Sequence, residues 1–211
     1  MVYNKTMSDK IDTTNPKRVR RNRKEEILEQ AAVLIAEHGF QGTTLSQLSE
    51  ALGLTEPGIL HYFPSKIHLL QGVLEYHEQK DADKYLGLLQ TEKKNVPELF
   101  DLLDDLVAKN EKIPGLIQLF TVLVGESVRS NHPSHDYFVD RYQRVREGYV
   151  NQFFALIKTQ IRPDVNLEEL ATLIMAIMDG LQIQWLLDPK KVDMVAAFKL
   201  FSKIVVDYLE R

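Results

Sequence analysis

Apolar residues recur at steps of three and four along almost the whole chain, and strand-type alternation is nearly absent. That period leaves room for little except packed helices, and it predicts an all-α protein of about nine. Ile27, Ala31, Leu34 and Ile35 line one face of a first helix, which Gly39 is expected to stop. Short helices follow over Leu45 to Leu52, ending at Gly53, and over Glu56 to Tyr62, with Thr55 as N-cap and Pro57 in the first turn. Ser65 caps a fourth helix carrying Ile67, Leu70, Leu74 and His77 on a shared face.

Pro97 opens a helix bearing Leu99, Leu103 and Leu106. Pro114-Gly115 interrupts, and Leu116 to about Val128 is apolar nearly all round, the pattern of a helix buried on every side. Beyond the turn Asn131-His132-Pro133, one long helix is predicted with Phe138, Tyr142, Val145, Tyr149, Phe153 and Leu156 in register, ending at Arg162-Pro163-Asp164. The last two helices are read as Leu167 to Leu187 and Val192 to Leu209, separated by Asp188-Pro189. The chain has no internal repeat and no low-complexity tract.

Composition narrows the chemistry. The 211 residues suffice for a sizeable core, and the absence of Cys excludes disulfides, thiolate metal sites and Cys nucleophiles. No apolar run approaches the roughly 20 residues of a membrane span, and Met1 to Pro16 lacks the apolar stretch of a secretory signal. A cytoplasmic protein with no membrane partner is expected. The net charge of −4 argues against nucleic acid, but its distribution does not. Lys17-Arg18-Val19-Arg20-Arg21-Asn22-Arg23-Lys24 is a cationic run on an otherwise acidic chain, and it leads directly into the first helix.

The expected organisation is a flexible arm over 1–16, a three-helix reader over 17–64, and a larger bundle over 65–211. Within the reader, Gly53-Leu54-Thr55 joins two short helices, with Leu48 and Ile59 placed to pack together. This is helix-turn-helix spacing, in which one helix braces a second whose N-terminal residues enter the major groove. An ordinary helical hairpin has the same local pattern.

The wider set of elements is more specific. Gly39-Phe40-Gln41-Gly42-Thr43-Thr44, Leu48, Gly53-Leu54-Thr55 and His61-Tyr62-Phe63-Pro64-Ser65-Lys66, in that order and at those intervals, closely resemble the TetR family of bacterial transcriptional regulators. The resemblance is specific over roughly Arg23 to Leu74; the remainder is similar in size and helix layout. The phrase Asp179 to Pro189 resembles the penultimate helix of many members from high-GC bacteria. Three positions depart from the common pattern: Ser49 stands where Ala is usual, Leu60 where many members have a phosphate-contacting aromatic, and Gly58 where Ser or Thr is frequent.

Resemblance and geometry together imply DNA-binding roles. Thr44 and Thr55 present a hydroxyl and free N–H groups at helix starts, which serve either a phosphate or the cap itself. Glu56, Pro57 and Gly58 lead the recognition helix, where Glu56 suits a cytosine amino group and Pro57 a thymine methyl. His61 reaches a base edge or phosphate, Tyr62 and Lys66 contact phosphate, and Arg20, Arg21 and Lys24 follow the backbone or minor groove.

For the larger domain the resemblance implies a small-molecule effector and pairing with a second copy. Leu173, Ile177, Leu181 and Trp185, then Phe198, Phe201, Val205 and Tyr208, exceed what one inward face requires and are expected at a four-helix dimer interface. Phe120, Glu126, Tyr137, Arg141, Tyr142, Met178, Asp179 and Gln182 mix aromatic and polar groups in the way of a ligand cavity, and each also suits core packing or a structural ion pair. His132, His135 and Asp136 lie close in sequence, yet at a helix start, where capping is the commoner use; neither a metal nor a cofactor is expected. The function implied is a ligand-responsive regulator, a repressor released from its operator by its effector, or an activator of the same fold. An all-α enzyme finds no HExxH, phosphate loop or nucleophile–base pair in its favour. A helical adaptor without a DNA role is the remaining alternative.

Overall fold

A computed structural model describes residues 22–91 and 94–210; the expected contacts of Arg20 and Arg21 fall outside them. Among the described residues there are nine α-helices: α1 (Arg23–Gly42), α2 (Leu45–Leu52), α3 (Glu56–Tyr62), α4 (Lys66–Thr91), α5 (Val96–Asn110), α6 (Pro114–Ser127), α7 (His135–Gly148), α8 (Leu167–Leu187) and α9 (Met194–Glu210). Side-chain caps explain many of the starts. Thr44 and Asn95 each form a reciprocal capping box, with Gln47 and Glu98, and Asn166 accepts from the N–H groups of Glu168 and Glu169.

Two cores share the molecule. One gathers Ile27, Ala31, Ile35, Leu48, Ile59 and Phe63 with the first turns of α4, and it also takes in Leu116, Leu119 and Leu123 of α6. The other joins α5, α8 and α9 around Phe100, Phe154, Ile174 and Phe198. Helix α6 therefore belongs to the reader's packing as much as to the bundle's. At Gly115 it approaches α1 so closely that a Cβ would lie 2.9 Å from the carbonyl oxygen of Ile35. It is not buried on every side, because Gln118, Gly125 and Glu126 face outward.

Gly39 ends the regular run of α1, as expected: at φ +69° it takes a left-handed conformation open to glycine and kinks the chain, and a last short turn runs on to Gly42. One helix expectation needs correction: the long helix through Leu156 is not one α-helix. After Gly148 the backbone widens into a π turn over Tyr149–Phe153 and then tightens into a 3-10 turn over Phe154–Ile157. This change of register buries Phe153, Phe154 and Ile157 and leaves Leu156 44% exposed.

α8 is the one helix among the described residues long and apolar enough to cross a membrane. Its composition has another cause. One side packs on the bundle through Leu170, Ile174 and Trp185, while an opposite side bears exposed Leu173 and Ile177.

Candidate nucleic-acid interface and effector cavity

The reader's turn is built by Gly53, whose φ of +62° lets its own N–H and that of Leu54 cap the carbonyls of α2. Leu48 and Ile59, both fully buried, lock α2 against α3. Across this clamp the outer residues stand free. Lys24, Thr44, Thr55, Glu56, Pro57, His61 and Tyr62 are exposed, and Gly58 and Lys66 are half-buried. Thr44 and Thr55 both act as caps: Thr44 Oγ1 accepts from the N–H of Gln47 and Thr55 Oγ1 from that of Gly58, each at 3.2 Å. A Cβ at Gly58 would meet Thr55 Oγ1 at 3.2 Å, so glycine here keeps the cap uncrowded. The ring of Tyr62 meets that of His61 edge-on at 5.5 Å, and the ammonium of Lys24 lies 5.6 Å from the centre of the Phe63 ring. Lys24 is thereby held beside Phe63, the residue that ends α3. Arg23 is instead paired with Glu26 at 2.7 Å.

The second site is a cavity of about 300 Å³ inside the bundle. Six residues expected in a cavity meet there: Phe120 of α6, Arg141 and Tyr142 of α7, and Met178, Asp179 and Gln182 of α8. Glu126 does not reach it. Its carboxylate points outward, 61% exposed, 3.9 Å from Nε2 of His132. Tyr137 also lies outside the lining and faces the reader core, where its ring meets Phe138 edge-on at 4.9 Å. Burial pushes its phenol up to about 12. The sequence reading missed the α4 wall, made of His77, Glu78, Asp81 and Tyr85, and also Tyr149 from the π turn.

Charge within the cavity is largely paired. Arg141 Nη2 lies 2.5 Å from Glu78 Oε1, and its guanidinium stacks 4.5 Å above the Phe120 ring. Lys109 pairs with Asp81. Burial, reinforced by Lys109, pushes His77 below the ordinary imidazole range. Asp179 accepts a hydrogen bond from the Tyr142 hydroxyl at 2.6 Å. Burial raises its carboxyl above the usual range, opposed by that hydrogen bond and by the charge of Arg141. Tyr142 and Tyr149 are raised as well, chiefly by burial. Two polar atoms on the wall, Tyr85 Oη and Gln182 Oε1, are buried without a hydrogen-bond partner.

The outer face of α8 and α9 is apolar but differs from expectation. Trp185, Phe198 and Val205 are 7%, 0% and 7% exposed and belong to the core of this one chain, not to an open face. Leu173, Ile177 and Tyr208 are exposed, and Leu181 and Phe201 are half-buried. Leu200 and Ile204, missed in sequence, are 62% and 59% exposed and border a groove with Ile177 and Gly180. The His132–Asp136 segment is occupied by its own turn. His132 Nδ1 accepts from the Ser134 N–H at 3.2 Å, and His135 Nδ1 donates to the Ser127 carbonyl at 2.9 Å. Among the described residues no three groups are placed to hold a metal.

These two sites can be set beside known proteins. Residues 27–73 match the model of bacterial regulatory proteins of the tetR family, and residues 98–210 match that of the C-terminal region of BetI-type transcriptional repressors. The nucleoid occlusion factor SlmA of Idiomarina loihiensis is 26% identical over 170 residues, covering 76% of this chain and 82% of that one. SlmA of Photobacterium profundum is 29% identical over 142 residues, 67% of this chain and 65% of its own length. A structure described as a transcriptional regulator of Saccharomonospora viridis in complex with choline superposes with a TM-score of 0.68 at 25% identity, covering 90% of this chain and 98% of the other. FadR of Bacillus subtilis in complex with stearoyl-CoA shares the fold, with a TM-score of 0.63 at 16% identity over 88% of this chain and 98% of its own. With a tetR-type reader and a BetI-type C-terminal region joined in the order the fold requires, the chain belongs to the TetR family of bacterial transcriptional regulators.

Proposed function

We propose that this regulator is a homodimeric repressor that acts in the cytoplasm, holds an operator through two readers, and releases it when a small molecule fills the bundle cavity. One observation carries the reading: α4 begins at Lys66 beside the recognition helix and then forms a wall of the cavity through His77, Glu78 and Asp81. A single rigid element thus meets both sites, as coupling between them requires. The functional division falls where α4 begins, near residue 65, with the arm over 1–16 and the reader over 17–64. No catalytic role is assigned.

On DNA, Glu56, Pro57 and His61 are assigned to base edges. Thr44, Thr55, Tyr62 and Lys66 are assigned to phosphates, with Gly58 allowing close approach and Lys24 extending the contact from α1. Dimerisation is assigned to the exposed face of Leu173, Ile177, Leu200, Ile204 and Tyr208, with Leu181 and Phe201 beneath it. Two readers spaced about 34–36 Å apart meet successive major grooves. Effector contacts are assigned to Phe120, Arg141, Tyr142, Met178, Asp179 and Gln182. A cavity of about 300 Å³ lies at the small end of ligand sites, which favours a compact effector of the size of the choline named with the S. viridis regulator over a long acyl thioester.

Selection of bound sequences from random DNA by the full chain tests the reading. A two-fold-related pair of half-sites, eluted by a compact ligand, is the expected result. A single asymmetric site, or no enrichment, refutes it.

A further inference from the structure

The cavity, read above as the effector site, has an uneven polar balance. Three carboxylates line it, and two already hold a cation: Glu78 pairs with Arg141 and Asp81 with Lys109. Asp179 differs. Its hydrogen bond comes from the neutral hydroxyl of Tyr142, to Oδ2, and no ion pair reaches it among the described residues. One turn further along α8, Gln182 is 4% exposed, and its Oε1 is buried on the cavity wall without a partner. Residues three apart share a helix face, so Asp179 and Gln182 offer acceptors side by side. A buried acceptor left unpaired is costly, and a buried carboxylate that feels the charge of Arg141 but has no ion pair of its own is only partly compensated. Both demands are met by one group that carries positive charge and N–H donors together.

We infer that the effector presents a protonated primary or secondary amine, held by the carboxylate of Asp179 and the side-chain carbonyl of Gln182. Its body lies against the apolar wall formed by Leu116, Ile117 and Met175. Charge-assisted N–H···O bonds are the strong ones, and they distinguish an ammonium with hydrogens from a fully methylated one. A quaternary cation satisfies the charge of Asp179 but gives Gln182 Oε1 no N–H. A carboxylate ligand meets two acceptors and is repelled.

The test is a size-matched panel titrated calorimetrically into the full chain, with release of selected operator DNA measured in parallel. The probes are phenethylamine, phenethyl alcohol, phenylacetate, the N,N,N-trimethyl derivative of phenethylamine, and choline. Phenethylamine is expected to bind at least about tenfold tighter than the alcohol or the trimethyl derivative, phenylacetate not to bind, and only the amine to release DNA efficiently. Asp179→Asn, which keeps an oxygen for Tyr142, should reduce the preference of amine over alcohol to about one. Gln182→Leu should reduce the preference of the amine over its trimethyl derivative, leaving the part that the N–H bond to Asp179 supplies. Choline or the trimethyl derivative equalling the amine, phenylacetate binding, or no binding by the amine overturns the inference. The wild-type panel decides this even if a variant fails to fold. DNA release by choline or phenylacetate would leave the repressor reading intact while refuting the amine; failure of the free protein to select any operator would instead defeat the repressor reading.

Discussion

Two glycines of α6 make opposite predictions for the same substitution. At Gly115 an added methyl would sit 2.9 Å from the carbonyl oxygen of Ile35 and 3.4 Å from Ala36 Cα, both backbone atoms of α1. Ile35 is fully buried, so α1 cannot yield by moving a side chain aside. Over-packing of this kind costs about 1–3 kcal/mol. The gain from replacing glycine in a helix is at most about 1 kcal/mol, and less at an end. Gly115→Ala is therefore expected to destabilise by about 1–2 kcal/mol. At Gly125 a methyl meets open space, and Gly125→Ala should stabilise by about 0.5–1 kcal/mol. For a chain of this length the two variants should differ in thermal midpoint by about 3–12 °C. Circular dichroism melts and urea titrations at one fixed protein concentration measure the difference. Because the displaced element braces α2, Gly115→Ala should also weaken operator binding, whereas Gly125→Ala should not. Equal stabilisation by both changes would refute the tight α1–α6 contact.

Other expectations concern DNA, assembly and pH. Lys66→Ala should weaken all DNA sequences alike and lower the salt slope of log affinity by about one, measured by fluorescence anisotropy across salt concentrations; an unchanged slope removes Lys66 from the phosphates. His61→Ala should relax base preference in a repeated selection, and an unaltered preference would assign it no base. Leu200→Glu together with Ile204→Glu should yield a monomer in light scattering and lose most operator affinity. A dimer that survives both changes would place the pairing face elsewhere. Asp179 has its folded-state pKa raised by burial, so its ionisation costs stability above that pKa and nothing below the ordinary aspartate range. Asp179→Asn should therefore raise the urea midpoint at neutral pH, with the gain vanishing as pH falls through that window; a gain independent of pH would contradict the assignment.

The reader was legible because each of its signals is local. Thr44, Gly53 and Thr55 act within a few residues of themselves, and Leu48 with Ile59 follows from two short amphipathic patterns. Legibility fell where a helix had to be oriented by partners distant in sequence. α8 and α9 are apolar on two sides, so periodicity alone could not tell that Phe198 and Val205 turn inward while Leu200 and Ile204 turn outward. The π turn at Tyr149 was hidden because a step of four residues, from Tyr149 to Phe153, survives a widened turn as well as a regular one. The α4 wall was missed for a different reason. His77, Glu78 and Asp81 look like a solvated polar stripe until α5 and α7 supply Lys109 and Arg141 to pair with them.

That pairing bears on how an effector could act at a distance. Lys66 and Glu78 lie about 18 Å apart along α4, at about 1.5 Å of rise per residue. The ion pair from Glu78 to Arg141 ties this helix to α7, and Arg141 is stacked on Phe120 of α6. Helix α6 in turn lies against α1 at Gly115, so the cavity meets the reader by two routes, through α4 from one side and through α6 and α1 from the other. An occupant engaging Asp179 places new positive charge in the same cavity as the Arg141–Glu78 pair, where like charges repel strongly at low dielectric. Any shift of Arg141 loads both routes together. Such an effector moves the readers only in so far as it binds one arrangement of these helices better than the other. Replacing Arg141 with Gln while retaining Glu78 should therefore change how much DNA affinity the effector removes, rather than only how tightly it binds. A variant in which effector affinity falls but the affinity ratio with and without effector is preserved would assign Arg141 to binding alone and leave the coupling to Asp179 and the helix that carries it.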